Sequence, residues 1–353
     1  MKNSILHICV FDKFIPAFVD TVQKNFEPKE HIFVIIGKAT NHKYRNSYNI
    51  LEIKSVFDLV GLCKVLNSII KCEKIIVHGI SHFYLVLSLC FMPWIHKKLY
   101  WVIWGGDLYY YKTGVSSKYY GIKEVFRKFL ISRLRGFISI VKGDFDKACN
   151  WYNAKGKFLE SFVYTSNIYS GKKLSLDEVI VSEDNRGKNI LIGNSASKSN
   201  NHQQVFELLS KLNLDEVENI YCPLSYGPSE YALEIKLIGE NIFGDKFVPI
   251  MEFMPLGDYN KILDDVDIAI FGHDRQQAMG NIINLVGRGK MVFISKNITS
   301  FEFFTKLGVN IRAIENLSIS TLSADESYKN NKIISEYFCE KTLVKQLNKI
   351  FES

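Results

Sequence analysis

The sequence has no hydrophobic run long enough to cross a membrane as a helix. A spanning helix needs roughly 18 or more apolar residues in succession. The longest apolar stretch, residues 83–95 (FYLVLSLCFMPWI), is shorter than this and contains a proline. The N-terminal sequence, MKNSILHICVFDKF, becomes polar too early for a signal peptide. We therefore expect neither a spanning helix nor a secretory leader.

The sequence also lacks the patterns of a disulfide framework or a metal site. Its seven cysteines are odd in number and scattered, and no CxxC pair is present. Free thiols in a reducing cytoplasm are the simplest interpretation. No cluster of His, Cys, Asp or Glu has metal-ligand spacing, and neither a Walker loop nor a GxGxxG fingerprint occurs. We therefore predict no bound metal and no cofactor.

The composition is that of a globular protein with more than one core. The chain has 353 residues, of which 47% are hydrophobic and 23% charged, a length that suits two domains. The net charge is +7, and Lys and Arg are concentrated in residues 112–157. Such a segment can bind nucleic acid, an anionic membrane surface or nothing. We expect no nucleic-acid partner, because nothing else in the sequence resembles a base reader.

Apolar, β-rich runs alternate with longer helical patterns along the chain, which predicts parallel sheets with helices on both faces. The predicted strands of the first half are 5–11, 31–37, 74–80, 99–105 and 136–141. Those of the second half are 188–195, 219–225, 246–251, 266–272 and 290–295. The fold class is therefore α/β, with two Rossmann-like, doubly wound parallel-sheet domains.

The domain boundaries follow from a change in composition near the middle of the chain. Residues 171–188 are polar and charged and are predicted to form a linker. The N-terminal domain would then span 1–170 and the C-terminal domain 189–335, followed by a helix in 336–353. In doubly wound sheets, ligands bind beyond the carboxyl ends of the strands. We therefore expect the site in a cleft between the two domains.

The segment GNSASKSNNHQQVF follows the first strand of the second half. Gly193 would allow a tight turn, and a helix begins near Asn201, where free N–H groups would favour an anion such as a diphosphate. The alternative is that Ser199 or Asn200 only caps that helix. The candidate anion-binding residues of this segment are Gly193, Asn194, Ser195, Ser199 and Asn200.

The segment FGHDRQQAMGN follows a later strand of the same half. Arg275 could bind phosphate oxygens through its guanidinium group, together with the helix that Gly280 and Asn281 open. The alternative is a solvated loop. The candidate phosphate-binding residues here are Arg275, Gln276, Gln277, Gly280 and Asn281.

The segment PIMEFMPLGDY places an acid among apolar residues. Glu252 could bind a pair of ribose hydroxyls, and the main chain of Phe253 to Pro255 could contact a base edge. The alternative is a strand end followed by a capped helix. The candidate residues are Glu252, Phe253, Met254 and Pro255.

Three candidates lie at strand ends of the first half. Asp107 follows the glycine pair Gly105 and Gly106, which would turn the chain sharply and direct the carboxylate into the cleft. His78 ends another strand; a single histidine there could instead be structural. Asp12 follows the first strand and could be a simple helix cap.

The segment YYGIKEVFRKFLISRLRGF has helical periodicity, with apolar residues on one side and basic residues on its flanks. Such an amphipathic helix suits an anionic membrane interface. The alternative is an ordinary surface helix packed on its own domain. The candidate membrane residues are Lys123, Phe126, Arg127, Lys128, Phe129 and Arg133.

Taken together, five motifs in this order and spacing resemble the bacterial 4-acetamido-4,6-dideoxygalactose (Fuc4NAc) transferases. The resemblance covers roughly residues 70–310. Its motifs are WVIWGGDLY, ILIGNSASKSNNH, PLSYGP, MEFMPLGDY and RQQAMGNIINLVGRG. The acidic turn WGxDLY of the family is matched by residues 104–109, so Asp107 carries over, whereas the match around Asp12 is loose.

The resemblance implies a metal-independent glycosyltransferase of the GT-B class. The donor would be a dTDP-linked deoxy-amino sugar, bound by the C-terminal domain with Tyr226 among its contacts. The acceptor would be an undecaprenyl-diphosphate-linked oligosaccharide, held near Asp12, Gly105, Gly106 and Tyr109. The enzyme would act peripherally at the cytoplasmic face of the bacterial inner membrane, in the synthesis of enterobacterial common antigen or O-antigen.

Within this interpretation, we expect Asp107 to take the proton of the acceptor hydroxyl, with His78 beside it as a second catalytic residue. We also expect the C-terminal helix to pack back on the N-terminal domain. Two other functions remain open. One is a GT-B-like sugar-nucleotide epimerase, and the other is a non-catalytic, membrane-docked module that binds a sugar nucleotide.

Overall fold

The computed structural model describes residues 4–37, 44, 49–53, 59–175 and 188–353. The chain forms two compact units. Unit 1 comprises residues 1–166 together with 340–353, and unit 2 comprises residues 167–339. None of the helices in the described ranges combines the length and the apolar character that crossing a bilayer requires. All seven cysteines are free thiols.

Unit 1 is built on a seven-stranded parallel sheet in the order β3-β2-β1-β4-β5-β6-β7. Its strands are β1 (Ile5–Val10), β2 (His31–Ile36), β3 (Ile50–Ile53), β4 (Lys74–His78), β5 (Leu99–Val102), β6 (Gly136–Ser139) and β7 (Lys157–Glu160). The central strands β1 and β4 are buried along nearly their whole length, as expected when helices cover both sides of a parallel sheet.

Helices cover the two faces of this sheet. Those of unit 1 are α1 (Ile15–Asn25), α2 (Leu59–Lys71), α3 (Phe83–Cys90), α4 (Gly105–Thr113), α5 (Tyr120–Ile131), α6 (Lys142–Tyr152) and, at the end of the chain, α13 (Glu340–Glu352). The main core of unit 1 lies between the sheet and α2, α3, α5 and α6, around Trp101 and Phe137.

Unit 2 is built on a six-stranded parallel sheet in the order β10-β9-β8-β11-β12-β13. Its strands are β8 (Lys188–Ile192), β9 (Val217–Pro223), β10 (Phe247–Ile250), β11 (Ile268–Phe271), β12 (Met291–Ile294) and β13 (Arg312–Ala313). Its helices are α7 (His202–Leu209), α8 (Ser229–Phe243), α9 (Leu256–Asp265), α10 (Met279–Gly287), α11 (Thr299–Leu307) and α12 (Ala324–Tyr337). One core cluster of unit 2 gathers around Phe206 and Phe293.

The predicted α/β class with two parallel, Rossmann-like sheets is confirmed. The predicted return of the last helix to the first domain is confirmed as well, because α13 belongs to unit 1. Lys74 of β4 fixes this helix: its Nζ donates to the carbonyl of Ile350, to that of Phe351 at 3.0 Å and to Ser353 Oγ at 3.2 Å. Of the linker predicted over 171–188, residues 176–187 lie outside the described residues.

The structure contains elements that the alternation of patterns did not indicate. Strands β3, β7 and β13 are short edge strands of the two sheets. Helix α4 begins directly at Gly105, where a turn was predicted, so β5 ends at Val102 and not at Gly105. Helix α6 likewise follows β6 without a separate sequence signal.

Candidate functional site

Each sheet contains one point where the strand order reverses direction. In unit 1 it lies between β1 and β4, and in unit 2 between β8 and β11. We call this position the switch point of the sheet. Ligands of doubly wound sheets bind there, beyond the carboxyl ends of the strands. The candidate residues of Gly193–Asn200 and Arg275–Asn281 follow β8 and β11, whereas Asp12 and His78 lie at the ends of β1 and β4.

In unit 2, the loop after β8 turns at Gly193, which has a φ of +69°. A side chain at this position would meet Asn200 Oδ1 and His202 Nε2 at 3.0 Å each, so both the conformation and the space favour glycine. Asn200 is fully buried and holds the loop from inside. Its Nδ2 donates to the carbonyl of Ser195 at 2.8 Å, and its Oδ1 accepts the N–H of Asn194 at 3.3 Å.

The loop after β11 is bonded to the loop after β8. Ser199 Oγ donates to Gln277 Oε1 at 2.7 Å, and Gln277 Nε2 donates to Asn194 Oδ1 at 3.2 Å. Asn201 Nδ2 donates to the carbonyl of Gly272 at 2.8 Å. These amide and hydroxyl side chains fix the two loops against each other. Ser199 and Asn200 do not cap helix α7, whose N-cap residue is Asn201 and which has no side-chain cap.

Helix α10 begins within this arrangement. Its N-cap, Ala278, has a φ of +56°, and no side chain caps the helix there. The partly exposed Asn281 side chain is fixed by its bond from Nδ2 to Tyr259 Oη at 2.9 Å. Arg275 and Gln276 lie partly exposed just before the helix. A helix start with its N–H groups uncapped and a guanidinium group beside it attracts an anion.

Two buried histidines support the same loops, and neither was among the predicted site residues. His273 is 1% exposed, and its Nε2 lies 3.0 Å from Asn200 Oδ1. His202 is fully buried, and its Nδ1 lies 3.3 Å from Tyr231 Oη. Burial lowers the pKa of His273 to about 3 and that of His202 to about 4, so both rings are neutral at pH 7.

The segment after β10 is exposed. Phe253 is 71% exposed, and its ring meets that of Tyr226 edge to face, with centroids 6.0 Å apart. Glu252 and Pro255 are exposed and Met254 is partly exposed. These candidates are therefore exposed residues that follow the carboxyl ends of β9 and β10, in the same unit as the Gly193 and Arg275 loops.

In unit 1, the Asp107 carboxylate is 1% exposed and accepts three hydrogen bonds. Oδ2 accepts from the backbone N–H of Ile80 at 3.0 Å and from Trp101 Nε1 at 2.8 Å, and Oδ1 accepts from the backbone N–H of Trp104 at 2.9 Å. Burial raises its pKa to about 6, although these bonds act against the rise. The carboxylate thus fixes the start of α4 to the loop after β4. Its role as a proton acceptor stays a prediction.

His78 lies in a chain of buried polar rings that crosses one face of the unit 1 sheet. Its Nδ1 lies 2.8 Å from Tyr164 Oη, and its Nε2 lies 3.2 Å from His7 Nδ1. His7 Nε2 in turn lies 3.0 Å from His31 Nδ1. Trp104 Nε1 donates to Tyr164 Oη at 2.9 Å. Both nitrogens of His78 are thus engaged inside the fold, which is the structural alternative that the sequence left open.

The three histidines of this hydrogen-bonded series, His7, His31 and His78, are neutral at pH 7. Burial lowers the pKa of His78 to about 3 and that of His31 to about 4, and it holds the pKa of His7 well below its ordinary value. Nothing in the sequence indicated His7 and His31, because their contact depends on the order of β2, β1 and β4 in the sheet.

Other acceptor candidates take positions that differ from the expected ones. Gly105 and Gly106 form the first turn of α4 and not a sharp turn toward a cleft. Tyr109 is 4% exposed, and its ring packs edge to face against Trp151 at 5.4 Å. Asp12 is partly exposed, and its Oδ1 accepts from the backbone N–H of Phe14 at 3.3 Å, which shapes the turn before α1.

Two of the predicted membrane residues on α5 point inward, and this corrects the prediction. Arg127 is 3% exposed; its Nη1 donates to the carbonyl of Ile80 at 2.9 Å and its Nη2 to the carbonyl of Asp107. Phe126 packs partly buried against the core. The helical periodicity was correct, but the guanidinium group of Arg127 is buried because it bonds to carbonyls of the loop after β4 and of the first turn of α4. Lys128, Phe129 and Arg133 are exposed, and Lys123 is partly exposed.

The candidate residues therefore fall into two groups by location. The donor candidates of unit 2 meet at one edge of one sheet, and the catalytic and acceptor candidates lie in unit 1. Within the described ranges, no three or more His, Cys, Asp and Glu side chains are placed to hold a metal ion.

Comparison with solved structures shows the same fold in known glycosyltransferases. HepE of Anabaena in complex with UDP and glucose matches with a TM-score of 0.67 at 11% identity, covering 98% of this chain and 99% of that one. Sucrose-phosphate synthase of Thermosynechococcus elongatus matches with a TM-score of 0.66 at 9% identity, covering 99% and 98%. A glycosyltransferase of Rickettsia africae matches with a TM-score of 0.62 at 13% identity, covering 99% and 98%. The fold is that of the GT-B class.

A family model for 4-alpha-L-fucosyltransferases, glycosyl transferase group 56, matches residues 8–311. The match spans most of unit 1 and most of unit 2, including every motif on which the resemblance to Fuc4NAc transferases was based. It confirms that resemblance at the level of the family. The protein is a glycosyltransferase, and the chain belongs to the 4-alpha-L-fucosyltransferase family, glycosyl transferase group 56.

Proposed function

We propose that this enzyme transfers a deoxy-amino sugar, Fuc4NAc or a close relative, from a dTDP-sugar to an undecaprenyl-diphosphate-linked glycan. The product would enter surface polysaccharide, either enterobacterial common antigen or O-antigen. The observation that carries the donor half of this proposal is the pair of bonded loops at the switch point of unit 2. The family match and the solved HepE complexes with UDP and with UDP-glucose support a nucleotide-sugar donor.

The donor diphosphate would bind between the Gly193 loop and the start of α10. The uncapped N–H groups of α10 and the Arg275 guanidinium group would neutralise the charge that develops on the departing diphosphate. Both loops are fixed by Asn200 and Gln277 before any ligand arrives, so little reorganisation is needed on binding.

The base and ribose would lie at the open segment after β10. Phe253 and Tyr226 present exposed rings next to each other, and a flat pyrimidine packs well against such rings. The exposed Glu252 carboxylate could accept a hydrogen bond from the 3′-hydroxyl of the deoxyribose. A donor with a deoxyribose has one such hydroxyl fewer than a ribonucleotide, so Glu252 is a candidate for the choice between dTDP and UDP.

The acceptor would be held by unit 1, at the inner membrane surface on the cytoplasmic side. The support is the exposed part of α5 with its apolar and basic side chains, together with the family resemblance. Asp107 and His78 would position the loops that receive the acceptor, since both side chains are engaged with residues of those loops.

The test is an incubation of the full-length protein with a radiolabelled dTDP-sugar, with and without a lipid-linked saccharide acceptor. We expect label in the lipid fraction only when the acceptor is present, with release of dTDP. Release of free sugar and nucleotide without acceptor would indicate the epimerase. Donor binding with no turnover under both conditions would indicate a binding module.

A further inference from the structure

Unit 1 carries an exposed apolar face of which the acceptor assignment used only the part on α5. It is formed by α3, the 3₁₀ helix Pro93–Lys98 and α5. We call it the α3–α5 face. Its large exposed side chains are Tyr84, Phe91, Trp94, Ile122, Val125 and Phe129. Of these, Trp94 is 67% exposed and Phe91 70%, which is unusual for groups of this size.

The elements of this face pack directly against one another. Cys90 at the end of α3 donates through Sγ to the carbonyl of Phe126 on α5 at 3.3 Å. The rings of His96 and Phe129 meet edge to face with centroids 6.0 Å apart. These contacts join the three elements to one another, and Val125 lines a separate groove with Trp151 and Tyr152.

A basic hollow adjoins one end of this face. It has a volume of about 580 Å³ and is lined by four cationic side chains and no acidic one; the lining residues are Lys97, Ser132, Arg133, Leu134, Arg135, Lys155 and Gly156. The four cations are exposed, and in the part of the chain that the structure describes none of them forms an ion pair with a carboxylate.

Two elements each deliver an aromatic ring to the face and a cation to the hollow. Trp94 and Lys97 are three residues apart on the 3₁₀ helix and therefore project on the same side. Phe129 and Arg133 are four residues apart at the end of α5, and the Arg133 guanidinium group lies 3.9 Å from the centroid of the Phe129 ring. Arg133 Nη1 also donates to the carbonyl of Phe129 at 2.9 Å. The cation is thus held beside the ring.

We propose that the α3–α5 face docks on an anionic phospholipid bilayer, with a lipid phosphate group in the basic hollow. Exposed aromatic and aliphatic side chains insert at the headgroup boundary, and Lys and Arg beside them bind anionic headgroups. The charge of the hollow is complementary to such a surface. The proposal rests on the membrane location in the proposed function and names the surface responsible, which includes Phe129 and Arg133 but not Arg127.

A soluble phosphate would need the hollow but not the rings beside it. The exposed rings of Trp94 and Phe129, which share their elements with Lys97 and Arg133 of the hollow, favour the bilayer as the occupant. The test therefore has one arm for the charges, one for the rings and one for free phosphate.

The charge arm measures vesicle co-sedimentation of the full-length protein, without donor or acceptor. Phosphatidylcholine vesicles are compared with vesicles that also contain phosphatidylglycerol. We expect binding to the anionic vesicles, and the double variant Arg133→Gln/Arg135→Gln should bind them roughly 25-fold less, about fivefold for each charge removed. The matched control is Lys341→Gln/Lys345→Gln, which removes two exposed charges from α13 and should bind like the wild type. Equal loss in both double variants would overturn the role of the hollow.

The ring arm uses tryptophan fluorescence. Trp94 is 67% exposed, so its emission should shift to the blue when anionic vesicles are added, and Trp94→Phe should remove the shift. An undiminished shift in Trp94→Phe would overturn the docking of this face.

The phosphate arm adds inorganic phosphate at the concentration of lipid phosphate and at constant ionic strength. We expect the protein to stay on the vesicles. Its release would identify a soluble-anion site and overturn the bilayer as occupant. Because no arm requires sugar transfer, vesicle binding and transferase activity can fail independently.

Discussion

The two units share one architecture but use the polar residues at their switch points in opposite ways. In unit 2, Asn200 and Gln277 fix two loops, while Arg275 is partly exposed and Glu252 is exposed. In unit 1, Asp107 is 1% exposed and His78 2%, and only Asp12 of the three candidates at strand ends is partly exposed. The same sheet order thus supports a binding edge in one unit and an internally bonded edge in the other.

The difference lies in exposure and not in position along the strands. Asp107 and His78 satisfy the sequence criteria for a site as well as Arg275 does, but they are 1% and 2% exposed, whereas Arg275 is partly exposed. The carboxylate of Asp107 accepts from N–H groups of Ile80, Trp101 and Trp104 and stabilises the start of α4. Its catalytic role stays a prediction.

The largest expected effect concerns stability at acid pH. Five buried histidines have lowered pKa values, three in unit 1 and two in unit 2; they are His7, His31, His78, His202 and His273. In the unfolded chain each binds a proton near pH 6.5, and in the folded chain it stays neutral down to its lowered pKa. Stability is therefore full above about pH 6.5 and falls as the pH falls below it, by about 1.4 kcal/mol per pH unit for each histidine.

Between about pH 6 and 4 the two units should lose similar stability, although unit 1 holds three of the five histidines. Asp107 offsets about one of those three: with a pKa raised to about 6, it gains a proton in the folded state over this range. The measurement is denaturant unfolding at pH 7.5, 6 and 5, resolved by hydrogen exchange of peptides from each sheet. Equal stability at all three pH values would contradict the assignment.

The next effect concerns the donor. Arg275→Ala should weaken dTDP-sugar binding by roughly 10- to 100-fold, the range for a lost hydrogen bond to a charged group. Calorimetry with the dTDP-sugar measures it, and Lys211→Ala is the control, since Lys211 is an exposed cation after α7, away from the carboxyl edge. Unchanged affinity in Arg275→Ala would remove the guanidinium group from the donor site.

The smallest effect concerns Asp107. In Asp107→Asn one oxygen becomes an NH₂ group, which faces at least one of the three N–H donors, so the free energy of unfolding should fall by about 1–3 kcal/mol. We expect the pH dependence of kcat to be unchanged, because the carboxylate acts through the loops it holds. Urea unfolding and a kcat profile measure both. The opposite result would be a kcat that depends on pH near pH 6 in the wild type but not in Asp107→Asn, with unchanged stability. It would support the sequence prediction that Asp107 takes the acceptor proton.

Periodicity and motif order predicted the two sheets, most central strands and the loops of unit 2. They did not predict α4, because the glycine pair suggested a turn, whereas Asp107 accepts the N–H of Trp104 and so starts a helix directly. The inward direction of Arg127 was also hidden, since its partners are the carbonyls of Ile80 and Asp107. Contacts between distant strands, such as His7 with His31 and His78, exist only once the strand order is known.

The central claim is that the switch point of unit 2 binds the nucleotide and that of unit 1 does not. Hydrogen exchange of the full-length protein with and without dTDP tests it most directly. We predict slower exchange in residues 193–201 and 272–281, with no change in residues 78–80 and 104–107. Slower exchange confined to the unit 1 segments would contradict the claim.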